Sequence, residues 1–521
     1  MPTPATDRRL PRLAFGAALV LLRVPFYLTR HVQEDAYITM RCAKTLADTG
    51  VYGFNAGERV SASTSHLYVA LCAALRLVFG DSFVEAALVA DTVLFVIGAY
   101  LLAAALTTTP RRRYALWLLA AASPVALVIS YCGMETSLLV FALGVAVHGL
   151  VTSRRALLAG ALLAMPFIRP DAVAVCALLC LTAALLNRRS LPAAALGTTT
   201  GAGALAAFNY LYFGNVLNQT ILAKSVAYHP SHALTDIATH AVDLLAGSPT
   251  TVAAFNPLTT HFGNALGWVM AASLVAVTAT ALRPTSANDE PRLLRVCLGV
   301  MALAMPACYV VGGIIFPWYL WPWSFLGTMC IAAFAVERVA AAGDRARFWA
   351  ITASALALAL VVFAQWVSAL KLGTEERQYR ASVGRFIGAH SAVSDDLLLE
   401  PLGYIPFFAE RVAHDEVGLA APEVTRFRQR YGARWWVRYV QERRPSFLVE
   451  RPHILDCRTS DGDAITKEGC EWLRANYTVI KVFKYDPRDY YTSPLLLWLM
   501  KLGTASDYVV LQRQPPLHAK A

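Results

Sequence analysis

Charge is what this sequence has least of. Only 16% of its 521 residues are Asp, Glu, Lys or Arg, against about 25% in soluble domains. That shortfall excludes an ordinary soluble enzyme, a disordered chain and a coiled coil. No fixed-period repeat is present, nor any low-complexity tract beyond Ala- and Leu-rich runs. No His/Cys cluster has ligand spacing, which argues against zinc. After Arg8, Arg9, Arg12 and the apolar run 13–22 there is no small-residue cleavage site; Arg23, Pro25 and Tyr27 follow instead. An uncleaved first membrane span is therefore expected. Apolar residues are abundant, at 57%, and the mean hydropathy is +0.47. Together these describe a polytopic membrane protein.

The remaining charge is unevenly spread. The 148 residues from Thr374 onward hold 40 charged side chains, and the 373 before them hold 41. The expected organisation is a membrane-embedded module, 1–373, and a small α/β domain, 374–521. The net charge of +11 divides as +9 and +2 between them. The body's arginines sit in short runs between apolar segments, so the basic balance does not indicate a nucleic-acid partner. It follows the rule that basic loops stay on the cytoplasmic side. Eight of the ten cysteines precede Thr374 and read as small buried hydrophobes. Cys457 and Cys470 bracket a polar loop, and a disulfide between them is plausible if the tail lies outside the cytoplasm.

A spanning helix needs about 20 apolar residues. Eleven candidates are found: 12–30, 83–108, 114–131, 135–151, 155–168, 171–187, 191–213, 262–283, 293–311, 319–337 and 347–372. They place the runs Arg111–Arg113, Arg154–Arg155, Arg188–Arg189, 283–295 and 338–347 on one side. The N-terminus falls on that side and the tail on the other. A twelfth apolar stretch, 66–80, contains Arg76 and would invert every later span. It is read as an interfacial helix closing a first outer loop, 31–80. Nearly all unusual polar residues of the body then fall on the outer face.

The loop from Gln33 to Tyr68 carries most of the chemistry. Glu34 and Asp35 stand where the first span ends. Arg41 and Lys44 are at i, i+3 on a helical segment, and Gly50, Gly53 and Gly57 mark turns around Asn55. A carboxylate at this boundary suits a general base for an acceptor hydroxyl. It also suits a divalent cation shared with a phosphate. Arg41 and Lys44 suit a lipid-linked phosphate. An interfacial charged cluster that fixes the helix end explains the same residues without chemistry.

These residues resemble a family. The segment 34–65 is similar to the polytopic GT-C glycosyltransferases, and most to those grouped with the mycobacterial terminal β-1,2-arabinofuranosyltransferase. The resemblance rests on Glu34-Asp35-Ala36, Arg41, Phe54-Asn55-Ala56-Gly57-Glu58-Arg59-Val60 and Ser63-Thr64-Ser65. It continues in order through Cys132-Gly133-Met134-Glu135-Thr136, Ile168-Arg169-Pro170-Asp171 and Leu222-Ala223-Lys224. In the tail it includes 399–403 and 414–419. The chain departs from the pattern at Glu34, where an Asp is usual, and at Ser61-Ala62-Ser63. Its tail is also short.

The resemblance implies an α-helical, GT-C-like membrane protein of about 11 spans with a C-terminal α/β domain. It implies an enzyme that moves a sugar, arabinofuranose first, from a polyprenyl-phosphate donor in the bilayer to a glycan or protein acceptor. The site and tail would face outward from a bacterial plasma membrane. Asp35, with Glu34 beside it, becomes the candidate catalytic carboxylate. Lys224, Arg41 and Arg169 become the cations for the donor phosphate, in that order. Glu135 and Asp171 bind sugar hydroxyls or pair with the arginines. Asn55, Glu58 and Arg59 shape the loop. Ser65 and His66 close it and join the substrate-binding set. Trp318 and Tyr319 form either an aromatic belt or a stacking surface. No cofactor is certain on this resemblance, and the divalent cation named above stays open. The rival readings are a transporter or lipid flippase, and the same enzyme class acting on mannose or galactose.

Overall fold

The computed structural model describes residues 9–230, 232–245, 290–460, 462–500 and 507–515. The body is a helical bundle: α1 (Arg9–Leu21), α2 (Val24–Leu28), α3 (Ala36–Thr49), α4 (His66–Phe79), α5 (Phe83–Leu106), α6 (Pro110–Ala121), α7 (Pro124–Ile129), α8 (Thr136–Val151), α9 (Arg155–Ile168), α10 (Ala172–Leu186), α11 (Leu191–Phe213), α12 (Gln219–Ala227), α13 (Leu234–Leu245), α14 (Glu290–Gly312), α15 (Pro317–Ala341) and α16 (Asp344–Leu372). Six helical stretches are long and apolar enough to cross a membrane, and 136–151, 155–168 and 172–186 are shorter apolar helices. Helices occupy ten of the eleven expected spans. The eleventh, 262–283, lies outside the described residues.

Local sequence explains the breaks. Pro110, Pro124 and Pro317 each open a helix, where the missing N–H costs nothing. The expected 12–30 span is divided at Arg23, which is fully buried. Its guanidinium donates to the Leu19 carbonyl at 2.8 Å, to Ser130 Oγ at 3.1 Å and to the Ala121 carbonyl. A buried charge is tolerated only when hydrogen-bonded in this way. Helices α5 and α8 approach through Gly98 and Gly144. A Cβ on Gly98 would lie 2.7 Å from the Phe141 Cα, and one on Gly144 would lie 2.7 Å from the Gly98 carbonyl oxygen. Small residues permit such contact where apolar lipid gives helices no hydrophobic reason to associate.

Helix α4 stays at one end of the bundle. At its start His66 contacts Asn209 near the end of α11; near its finish Arg76 pairs with Asp48 at the end of α3. A 3-10 turn, Gly80–Ser82, then leads into α5, whose first residue, Phe83, packs on Phe407 of the tail. Both ends of α4 are thus tied down, one by the end of α11 and the other by α3 and the start of α5.

After α16 a π-helical stretch, Gly373–Arg380, runs into α17 (Ala381–Ala389). Strands β1 (Asp396–Leu399), β2 (Val412–Asp415), β3 (Phe447–Glu450), β4 (Tyr477–Phe483) and β5 (Tyr508–Arg513) form one sheet in the order β2-β1-β3-β5-β4. The pairs β2-β1 and β1-β3 are parallel, and β3-β5 and β5-β4 antiparallel. Strands β4 and β5 are rich in Val, Ile, Tyr and Phe, which suit extended backbone.

Alternation along the strands serves two cores. Leu397, Leu399, Phe447, Val449 and Val510 join the core that also contains Tyr37 and Met40 of the body. Leu398, Leu448, Val509 and Leu511 pack on Trp435, Trp436 and Tyr439 of α20 (Trp435–Arg443), which follows α18 (Tyr404–Ala409) and α19 (Pro422–Tyr431). Trp435 and Trp436 are thus core residues. Cys470, on α21 (Lys467–Asn476), forms a disulfide with Cys457, the Cα atoms 5.7 Å apart. The apolar tail run at 495–500 lies in a short helix, α22 (Pro494–Met500), with Leu495 and Trp498 exposed.

Candidate functional site

The ends of seven body helices and one tail loop surround a cavity of about 210 Å³. Asp35 precedes α3 and Glu135 precedes α8. Arg169 and Asp171 lie between α9 and α10, Lys224 is on α12, and Tyr309 is on α14. Trp318 and Tyr319 are in the first turn of α15, and Leu419 comes from the tail. Thr39, Ser63, Thr64 and Thr220 complete a hydroxyl-bearing wall. The arginines at 154–155 and 188–189 lie at the opposite ends of α8, α9 and α10, and those at 111–113 lie at the start of α6.

The charged groups divide into a committed set and an open pair. The Arg169 guanidinium is forked onto Asp171, with Nε to Oδ1 at 3.0 Å and Nη2 to Oδ2 at 2.9 Å. It also donates to Glu135 at 3.5 Å and to the Tyr309 hydroxyl at 3.4 Å. Tyr309 donates to Asp171 and accepts from Trp323 Nε1 at 3.1 Å. Two carboxylates therefore already answer the Arg169 charge. Burial would raise Asp171, but Arg169 outweighs it and holds the carboxyl below its usual range. Glu135 is pushed up by burial despite Arg169 and Lys224.

Asp35 and Lys224 are the open pair. No described residue donates a hydrogen bond to the Asp35 carboxylate, which is half-buried at the cavity wall. Burial raises its pKa to about 6; Lys224 pulls down, and Glu34, Glu135 and Glu400 push up. The Lys224 ammonium donates to the Tyr319 hydroxyl at 2.8 Å and lies 4.9 Å from the centre of the Phe316 ring. It forms no direct ion pair with a described carboxylate. Burial would lower its pKa, yet Tyr319 and Asp35 more than offset this, so the amine stays cationic. A cation beside a carboxylate near neutrality is what phosphate binding coupled to proton transfer needs.

Other residues singled out in the sequence stand elsewhere. Glu34 points away from the cavity, accepting from the Gly403 and Tyr404 N–H groups at 2.8 and 3.2 Å and from Arg380 at 3.0 Å. Arg41 donates to the carbonyls of Phe54 (3.1 Å), Pro406 and Arg411, so its guanidinium is spent on the backbone and not offered to a phosphate. Asn55 exchanges hydrogen bonds with the Ala413 backbone at 3.0 and 3.1 Å and donates to Glu58 at 3.1 Å. Arg59 lies over the Tyr212 ring, 5.0 Å from its centre. Ser65 is buried outside the cavity. His66 contacts the Tyr52 hydroxyl at 3.0 Å, Asn209 at 2.8 Å and Asn218 at 3.3 Å. Five cavity residues had no sequence signal pointing to the site: Ile38, Thr39, Thr220, Ile221 and Tyr309. Among the described residues no group of three or more His, Cys, Asp or Glu is placed to hold a metal ion.

A family model described as a domain of unknown function, DUF8728, matches residues 366–508. No curated protein matches the sequence. Among solved structures, ArnT from Cupriavidus metallidurans bound to undecaprenyl phosphate superposes with a TM-score of 0.58 at 14% identity, covering 98% of each chain. The apo state of the same protein gives 0.56 at 13% identity, covering 96% of this chain and 98% of that one. At such identity the likeness is one of fold. It establishes the GT-C-like polytopic architecture with a C-terminal sheet.

Proposed function

We propose that this chain is a glycosyltransferase that moves a sugar from a polyprenyl-phosphate donor onto an acceptor outside the cytoplasm of a bacterial cell. One observation carries the reading. A carboxylate that accepts no hydrogen bond and an ammonium that has no direct ion pair, among the described residues, face the same small cavity, at the end of an apolar bundle whose fold, in ArnT, holds undecaprenyl phosphate. A lipid-linked phosphate would reach that end from the bilayer with its sugar in the cavity.

In this reading Asp35 orients the acceptor hydroxyl and takes its proton. The bond from the anomeric carbon to the acceptor oxygen forms as the bond to the donor phosphate breaks. The leaving phosphate gains negative charge, and Lys224, held by Tyr319, stabilises it. Arg169 contributes less, since Asp171 and Glu135 neutralise it. Thr39, Ser63 and Thr220 offer hydroxyls to the sugar, and Trp318 and Tyr319 offer it aromatic faces. Glu34, Arg41 and Asn55 shape the site without touching substrate. Arabinofuranose is the first sugar to test because the loop motif Phe54–Val60 resembles an arabinofuranosyltransferase family.

The test uses purified protein with synthetic polyprenyl-phosphate arabinofuranose, and with matched mannose, galactose and aminoarabinose donors. Transfer from one donor, lost in Asp35→Asn, is expected. Absence of transfer from all four, with undecaprenyl phosphate failing to bind, would count against the reading.

A further inference from the structure

The tail touches the cavity on both of its chemically active sides. On one side is Glu34, next to Asp35. Its Oε1 accepts from the N–H groups of Gly403 and Tyr404, and its Oε2 pairs with Arg380, which also pairs with Glu376 at 2.8 Å. Only glycine fits at 403, since a Cβ there would lie 2.2 Å from the Glu34 carbonyl oxygen and 2.6 Å from Oε1. On the other side is Gln219, in the first turn of α12, the helix that carries Lys224. Its side-chain amide donates to the Gly418 carbonyl at 2.8 Å and to Thr425 Oγ1 at 3.0 Å, both in the tail. Its backbone N–H donates to Ser61 Oγ at 2.8 Å, in the first loop. Between the two attachments Leu419 reaches the cavity. Asp415 holds it there by accepting from the N–H groups of Leu419 and Ala420, both at 2.7 Å.

We infer that Glu34 and Gln219 are positioning residues, through which the tail sets Asp35 and Lys224 against each other. The inference rests on the roles proposed above for those two side chains. No bond joins Asp35 directly to Lys224; they come from separate elements, and the tail is gripped close to each. Glu34 is one residue from Asp35, so its attachment fixes the start of α3. Gln219 is five residues before Lys224, so its attachment fixes the start of α12. A misplacement of about 1 Å between reacting groups costs about 100-fold in rate, and the tail is the body that spans both.

The two attachments act oppositely on Asp35. The charged groups facing it are Lys224 from α12, Glu34 from its own loop, Glu135 from the start of α8 and Glu400 from the tail. Glu34→Gln keeps an oxygen for the Gly403 and Tyr404 N–H groups but removes a negative neighbour, so Asp35 ionises at lower pH. Gln219→Ala releases α12, lets Lys224 draw back, and makes Asp35 ionise at higher pH. The Glu34→Gln shift reports the lost charge, whereas Gln219 is neutral and a role for it confined to stability moves nothing.

The experiment reads Asp35 without needing turnover. Full-length protein in detergent is labelled with dicyclohexylcarbodiimide, which attacks protonated carboxyls in apolar surroundings, and the Asp35 peptide is quantified by mass spectrometry across pH. The midpoint is expected near 6 in the parent, lower in Glu34→Gln and higher in Gln219→Ala. Thr425→Ala, which removes one of the two tail partners, should move it upward by a smaller step and guards against misfolding of Gln219→Ala. Turnover by Gln219→Ala should fall about 100-fold, with undecaprenyl phosphate still bound. Midpoints that stay at the parent value in folded variants overturn the inference, even if the parent transfers sugar. Opposed shifts in a parent that transfers none would leave the positioning intact and refute the proposed function.

Discussion

Asp35 is a carboxyl whose surroundings hold it near neutrality, with burial the largest cause and Lys224 the main opposing influence. Acting as a base, it must be ionised. Transfer should therefore fall about tenfold per pH unit below about 6 and level off above it, measured as kcat/KM against pH. Stability should run the other way. The folded state holds this proton up to about pH 6, whereas an unfolded carboxyl releases it near 3.8. Folding then loses stability as pH rises through that window. Asp35→Asn should abolish transfer, by about 100-fold or more, while melting at a higher temperature than the parent at pH 7. Lys224→Ala should cost about 100-fold in kcat by removing charge stabilisation at the leaving phosphate, and should weaken undecaprenyl-phosphate binding in direct titration. Both residues sit in short motifs of the resemblance, Asp35 where the first span ends and Lys224 in the segment after the 191–213 span. Tyr309 and Thr220 were not legible in this way: one is an ordinary residue inside an apolar helix, the other the last position of a sequon. Only the packing of α14 and α12 around the cavity selects them. Arg41 shows the converse, a motif residue whose charge is used to hold Phe54, Pro406 and Arg411 in place.

Among the elements, apolar run length and arginine spacing located ten spans that helices occupy. They did not locate the break at Arg23, which depends on carbonyls offered by another part of the bundle. The interfacial reading of α4 rests on its length and its Arg76, taken together with the sides of the arginine runs. The sheet was only partly legible. β4 and β5 have β-rich runs, but β1, β2 and β3 are four-residue strands that depend on pairing across the chain. The element most open to test is α21, tied through Cys470 to Cys457 across a sequence separation of 13 residues. A loop of that size contributes about 3 kcal/mol. Cys457→Ser, or reduction of the parent, should lower the melting midpoint of the tail followed by tryptophan fluorescence, since Trp435 and Trp436 share that core. Cys42→Ser, at a buried free thiol in the body, should leave the response to reductant unchanged.

Across the whole molecule, charge sorts by end. The arginine runs collect at the end of the bundle opposite the cavity, and the tail, with its disulfide, joins the bundle at the cavity end. Each observation has its own physical reason for a side. Short basic connectors remain in the cytoplasm because translocating them is unfavourable, and disulfides persist in oxidising compartments. The two reasons are independent, and the proposed sidedness, with the cavity and the tail outside the cytoplasm, rests on both. Single cysteines placed at Arg112, Arg188 and Lys484 would test this in intact bacterial cells with a membrane-impermeant maleimide, scored by mass shift. Lys484→Cys should label before lysis; Arg112→Cys and Arg188→Cys should label only after it. Labelling of Arg112→Cys in intact cells would reverse the bundle. The proposed donor would then have to present its sugar in the cytoplasm, and the Cys457–Cys470 bond would face a reducing medium. A reversal would therefore remove the outward-facing acceptor and the basis for the disulfide together.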